Sequence, residues 1–288
     1  MSNSSYAQII LDISDHFVVY TSIIILAMGL IGNILNIMIF TGLRMFRGNQ
    51  SAFYIVVASF ADCIILLFEC LTRIQYRAYR YDLTLISLFW CKVRAMLYHT
   101  SILISLTTVC FSSLDQYLST HHRYGMRQRS TLRLAQCLTS INIGFWTLHS
   151  ILFGIFYEIQ SPIGCTSFNQ GFRRYFSLGY LVILRGLLPL ITSVVFSALS
   201  YQNVRRIVRR QIPIVRRKLD QQLTAMVLTR VVFLFIVSIP YGLQFIYNWN
   251  TSDRTDNLVR IAVEQLVIDV TSTIFFFNYA VCIALLMQ

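Results

Sequence analysis

The stretch "LYHTSILISLTTVCFSSLDQYLST" (Leu97–Thr120), followed directly by "HHRYGMRQRSTLR" (His121–Arg133), decides the fold. From Leu97 through Leu114 there is no Asp, Glu, Lys or Arg, whereas Arg123, Arg127, Arg129 and Arg133 crowd the next segment. A run of about 18 or more uncharged, largely apolar residues is long enough, at about 1.5 Å per residue, to cross a hydrocarbon core of ~30 Å as a helix. The arginines behind it mark a wet, cationic loop of the kind that stays in the cytosol. Asp115, Gln116 and Tyr117 stand together at that border, where polar side chains leave lipid for water.

The pattern repeats outward from there. Only 12% of the 288 residues are charged and 56% are hydrophobic, against about 25% charged in an ordinary soluble domain. Seven apolar segments stand out: Phe17–Phe40, Phe53–Leu71, Lys92–Leu118, Leu134–Phe156, Leu178–Tyr201, Leu223–Tyr247 and Ile261–Met287. The expected fold class is an all-α membrane protein, a seven-transmembrane-helix bundle over residues 17–288 behind an extracellular N-terminus of residues 1–16. The first segment is long and is preceded by Asp12 and Asp15 rather than by Lys or Arg, so it reads as a true first span and not as a cleavable signal peptide. No linker, second domain or internal repeat is apparent.

Charge gives the orientation. Arg44 and Arg47, the four arginines of 121–133, and the cluster Arg205, Arg206, Arg209, Arg210, Arg216, Arg217 and Lys218 all follow odd-numbered segments. The opposite face holds Arg73, Arg77, Arg80, Arg173, Arg174, Arg254 and Arg260, and Lys92, Arg94, Arg185 and Arg230 fall inside helices. The excess after odd segments places those loops in the cytosol and the N-terminus outside. It accounts for most of the net charge of +12, which faces membrane lipids and cytosolic partners rather than nucleic acid. The sequons at Asn3 and Asn250 then lie outside and are candidate glycosylation sites, while the one at Asn49 is cytosolic and should stay unmodified. Of the seven cysteines, Cys91 and Cys165 alone are on the oxidising side, and a disulfide between them is expected.

Polar groups within spans are expensive and usually face a bundle interior. Asn33, Asp62, Ser105 and Asn278 are such residues. One reading makes them interhelical hydrogen bonds that hold the bundle; the other makes them one cluster around Asp62 able to hold a cation or a proton and to rearrange between states. Nearer the outer face lie Glu69, Arg73, Lys92, Arg94, Arg185, Glu264 and Asp269. These either pair with each other or line an outward-opening cavity suited to a zwitterionic or peptide ligand. Pro189 and Pro240 interrupt segments five and six, each removing a backbone hydrogen bond and favouring a kink.

Taken in order, these residues form a known set: Gly32-Asn33, Ala58–Asp62, Cys91 with Asp115-Gln116-Tyr117 at the far end of the same segment, Trp146, Cys165, Pro189, Pro240 and Asn278-Tyr279. Along essentially its full length the chain resembles a rhodopsin-like (class A) G-protein-coupled receptor. The resemblance implies a Cys91–Cys165 bridge, a sodium-linked polar site at Asp62, Ser105 and Asn278, and an activation switch of Asp115, Gln116, Tyr117, Asp220 and Pro240. It also implies a ligand entering among segments three, five, six and seven, with Glu69, Arg94, Tyr98, Arg185, Glu264 and Asp269 as candidate contacts. Several positions depart from the family pattern. Gln116 stands where the family's Asp-Arg-Tyr has arginine, Ser238 where it has the tryptophan ahead of Pro240, and Tyr279 where it has the proline of Asn-Pro-x-x-Tyr. No amphipathic eighth helix is expected before Gln288. These departures resemble a divergent branch like the expanded receptor sets of invertebrates, with peptide receptors as the nearest in character.

The functional expectation is a plasma-membrane receptor for an extracellular ligand, a peptide rather than an amine, acting on a heterotrimeric G-protein. Tyr98 stands where amine receptors carry an acid, and no lysine lies in segment seven to bind retinal. Gln116 is expected to reach Asp220 by a neutral hydrogen bond weaker than the family's charged one. A secondary transporter using intramembrane charges and a non-signalling decoy receptor are the alternatives. An enzyme is not expected: there is no HExxH or GxGD pattern, and His99 and His149 are isolated. Neither a metal nor a resident cofactor beyond the sodium ion is expected.

Overall fold

The computed structural model describes residues 3–46, 48–79, 86–121, 123–160, 164–207, 229–244, 247 and 258–280. Seven long helices make up most of them: α1 (Asn3–Gly42), α2 (Gln50–Tyr79), α3 (Leu88–Thr120), α4 (Leu132–Phe156), α5, α6 (Thr229–Gln244) and α7 (Leu258–Ala280). α5 is continuous through Gln170–Arg174, Tyr175–Leu187 and Leu188–Ile207, and its middle run has the wider π-helical winding. Five of the seven, α1 to α5, are long and apolar enough to cross a membrane by length and composition. α6 is apolar over a shorter described length, and α7 carries Arg260, Glu264 and Asp269 in its outer half. The all-α seven-helix bundle expected from the sequence is the architecture found.

Helix ends follow their caps. Asn49 Oδ1 accepts from the backbone of Ser51 and Ala52 at the start of α2, so the asparagine of the third sequon serves as a cap. Ser87, Thr131 and Asn169 cap α3, α4 and α5 in the same way, each satisfying a backbone N–H that the first helical turn leaves free. α1 differs from expectation. It starts at Asn3 rather than near Phe17, and residues 3–16 are its first turns, not a separate arm. Its 40 residues span about 60 Å, twice the hydrocarbon core, and the excess is held by packing: Ser14 and Asp15 are buried against α2 and α7.

α3 is the central column, packed on α2, α4 and α5, while α1 packs on α2 and α7. One core joins α1, α2, α3, α6 and α7 through residues such as Ile65, Leu66, Ile102, Leu234, Phe276 and Tyr279. A second joins α3, α4 and α5 through Leu103, Trp146, Phe153, Phe172 and Tyr180. Thr107 Oγ1 ties α3 to α4, lying 2.7 Å from Asn142 Oδ1 and accepting Trp146 Nε1–H at 3.2 Å. Gly29 lets α1 approach α7 closely, since a Cβ there would sit 3.1 Å from that of Ala280 and inside the Leu66 side chain. Large apolar side chains such as Ile31, Phe60, Phe145 and Leu148 are exposed, which suits a surface solvated by lipid tails and not by water.

Above α3 and α4 lies an antiparallel hairpin, β1 (Tyr157–Gln160) and β2 (Gly164–Ser167), with Ile159 opposite Cys165. Cys165 is bonded to Cys91 in the first turn of α3, so the expected disulfide fixes this hairpin over the outer end of the bundle.

Candidate functional site

Three polar zones run down the bundle. In the middle, Asp62 of α2 is fully buried. Ser105 of α3 donates its hydroxyl to Asp62 Oδ1. Arg230 of α6 places Nη2 2.7 Å from Asp62 Oδ2 and 3.3 Å from Ser105 Oγ. One carboxylate therefore joins three helices. Asn33 donates from α1 to the Gly29 and Tyr279 carbonyls at 2.8 and 2.9 Å, bracing α1 against α7. Asn278 is buried in α7, and its Oδ1 has no hydrogen-bond partner among the described residues.

The sequence brought Asp62 and Ser105 together correctly but placed Arg230 nowhere, recording it only as a cation inside segment six. Its position ten residues before Pro240 was the available signal, because a lone arginine at membrane depth needs an acid. The arrangement does not fit a sodium ion beside Asp62. Both carboxylate oxygens are taken, and the guanidinium already supplies the positive charge that a bound cation would bring.

At the far end of α3 the border residues bond to α2 and to the loop that follows. Asp115 accepts from Ser130 Oγ at 2.6 Å in the loop after α3. Gln116 Nε2 donates to Ser51 Oγ of α2 at 2.6 Å, and Gln50 reaches the Ser130 carbonyl. The Tyr117 ring lies against His121 and Phe196. Asp220 falls outside the described residues, as does Asn250; of the side chain of Asn3 nothing is described. Pro240 lies within α6.

In the outer half, most of the expected ligand contacts are spoken for by the protein. Asp269 accepts from Ser14 at 2.7 Å and pairs with Arg77 at 2.8 Å and Arg73 at 3.5 Å. Arg77 also pairs with Asp15 at 2.6 Å, so this network clamps α1, α2 and α7. Glu69 lies 3.8 Å from Arg94. Glu264 lies 2.7 Å from Arg260, and Tyr247 bonds to both. Tyr98 packs edge-on against His99 and beside Phe276. His99 is enclosed by Phe153, Phe176 and Tyr180, with Tyr180 Oη 2.8 Å from its Nδ1 and Tyr157 Oη 3.4 Å from its Nε2. Burial pushes the Tyr157 phenol up to about 12, so it faces His99 as a neutral hydroxyl. Arg185 is different: it is buried and its guanidinium carbon lies 4.4 Å from the Phe275 ring centre and 5.2 Å from that of Tyr241.

The described residues hold no group of three or more His, Cys, Asp or Glu placed to bind a metal, and His149, like His99, is bonded to a tyrosine. What the arrangement can do is mechanical: a polar file from the outer half to mid-membrane ends on an ion pair belonging to α6. Among known proteins, the sequence pattern described as "7 transmembrane receptor (rhodopsin family)" matches residues 32–282. No curated protein sequence matches significantly.

Proposed function

The chain belongs to the rhodopsin family of seven-transmembrane receptors, and from that premise we propose that it is a G-protein-coupled receptor whose extracellular ligand is a peptide rather than an amine. The observation that carries this reading is the Arg230–Asp62–Ser105 contact, which fastens α6 to α2 and α3 at mid-membrane. A ligand acts on such a bundle only by binding one helix arrangement better than another. Here the arrangement that competes is one in which α6 leaves Asp62, its cytosolic end swings outward about Pro240, and a G-protein enters between α3, α5 and α6.

Tyr98 and Arg185 are the residues of the expected ligand set that face inward without an acidic or basic partner among the described residues. Tyr98 in place of an acid disfavours an ammonium ligand. Glu69, Arg94, Glu264 and Asp269 act on the ligand indirectly, by holding the outer ends of the helices around it. The protein resides in the plasma membrane with its N-terminus outside, carries glycans at Asn3 and Asn250, needs no cofactor, and presents its basic cytosolic loops to anionic lipid and the G-protein.

The test is recruitment of G-proteins in cells expressing the full chain during a screen of peptides and small ligands. Ligand-dependent recruitment supports the proposal. Saturable solute uptake abolished by Asp62→Asn would replace it with a transporter, and a ligand bound without recruitment of any G-protein class would make the chain a decoy.

A further inference from the structure

The charges inside the bundle nearly all cancel in pairs. Asp62 is matched by Arg230, Glu69 by Arg94, Glu264 by Arg260, and Asp269 with Asp15 by Arg73 and Arg77. Arg185 is the buried cation without such a pair among the described residues; the buried carboxylate Asp115 is held by the Ser130 hydroxyl instead. Arg185 is only 6% exposed, and neither Nε nor Nη2 has a hydrogen-bond partner among the described residues. Among the described residues no carboxylate pairs with it. An unpaired buried charge is among the costliest things a fold can carry, and stacking on Phe275 and Tyr241 offsets only part of that cost.

The two unpartnered atoms are not scattered. Nε and Nη2 lie on one edge of the guanidinium, and that edge presents two parallel N–H donors spaced to meet the two oxygens of a carboxylate. Aromatic groups frame the cation: Tyr241 and Phe275 by stacking, with Tyr98, Tyr180 and Tyr279 as further electrostatic neighbours. The Tyr279 hydroxyl is itself buried without a hydrogen-bond partner among the described residues. Tyr279 is also an electrostatic neighbour of both Asp62 and Arg230.

We infer that Arg185, framed by Tyr98, Tyr241, Phe275 and Tyr279, is the anion-binding subsite of the ligand pocket and takes a carboxylate on its Nε–Nη2 edge. This rests on the receptor reading above and sharpens it from a peptide in general to a ligand with a free acid. The acid belongs either to a peptide's C-terminus or to a small organic acid with an apolar body suited to the aromatic frame.

The test uses the full chain in lipid nanodiscs and reads its melting temperature. Without any probe, Arg185→Met melts at or above the parent temperature, because it removes an uncompensated charge; a clear drop would show that Arg185 is structural and overturn the inference. With probes, 3-phenylpropionic acid is compared with its primary amide, and a pool of free-acid tetrapeptides with the same pool amidated. The acids raise the melting temperature and the amides do not. Arg185→Gln lowers acid affinity about ten- to hundredfold, the loss expected for charge-assisted hydrogen bonds, and Arg185→Lys restores part of it. A response to the small acid alone or to the peptide acids alone identifies the source. Equal responses to acids and amides, no response to either acid class, or an Arg185→Gln chain that behaves like the parent overturns the inference. Acid binding that needs Arg185 but recruits no G-protein sinks the receptor reading instead. Recruitment by a ligand indifferent to Arg185→Gln leaves that reading standing and removes this one.

Discussion

Removing Arg230 should expose the most consequential contact in the bundle. Two unit charges 2.7 Å apart attract by about 6 kcal/mol at an effective dielectric constant of about 20, and desolvation takes back much of that. The cost of Arg230→Met is set by what is left behind: Asp62, fully buried, with Ser105 as its remaining donor. Breaking a buried pair from one side typically costs about 3–5 kcal/mol. For a chain of this size that corresponds to a fall in melting temperature of roughly 6–20 °C. Asp62→Asn takes the carboxylate away from the guanidinium and should cost a similar amount. The double variant Asp62→Asn/Arg230→Met strands no charge and should recover most of either loss, so the cycle gives a coupling of at least about 3 kcal/mol. Sodium provides the second readout. The parent should melt at the same temperature in sodium chloride and N-methylglucamine chloride, because Arg230 already occupies Asp62, whereas Arg230→Met should become sodium-stabilised. Additive losses in the double variant, or a sodium-sensitive parent, would refute the reasoning.

The Cys91–Cys165 bond closes a separation of 74 residues, for which loop-closure entropy gives about 4 kcal/mol; Cys91→Ser/Cys165→Ser should lower the melting temperature accordingly, and an unchanged value would count against a stabilising bridge. Gly29→Ala forces a methyl against Leu66 and Ala280 and should cost about 1–3 kcal/mol by overpacking, whereas Gly144→Ala, with open space around it, should be neutral in the same melting assay. Gln116→Ala gives up the Ser51 hydrogen bond, worth about 1 kcal/mol, and Gln116→Arg places a cation beside Asp115 and should lower basal G-protein signalling. A Gln116→Arg chain indistinguishable from the parent in every coupling assay would show that the neutral side chain at this position does not set basal activity.

The one-dimensional pattern determined a great deal. Uncharged runs of membrane length set the number of spans, because a helix is the only isolated segment that satisfies its own backbone in lipid. The uneven distribution of arginine set the expected orientation, and the position of Cys91 and Cys165 at the outer ends picked out the pair that the structure joins. The sequence also marked Asp62, Ser105, Arg185 and Gln116 as unusual, since polarity within an apolar run is visible without any coordinates.

What it did not determine was who meets whom. Arg230 lies 168 residues from Asp62, Asp269 lies 255 from Ser14 and 192 from Arg77, and Gln116 lies 65 from Ser51. Whether two such side chains touch depends on the rotation, tilt and depth of each helix, and those are fixed by side-chain packing across the whole bundle. The same packing spent Asp269, Glu69 and Glu264 on partners within the protein and left Arg185 without an acidic one among the described residues. Composition supplied the charges, but only the tertiary structure decided which of them meet.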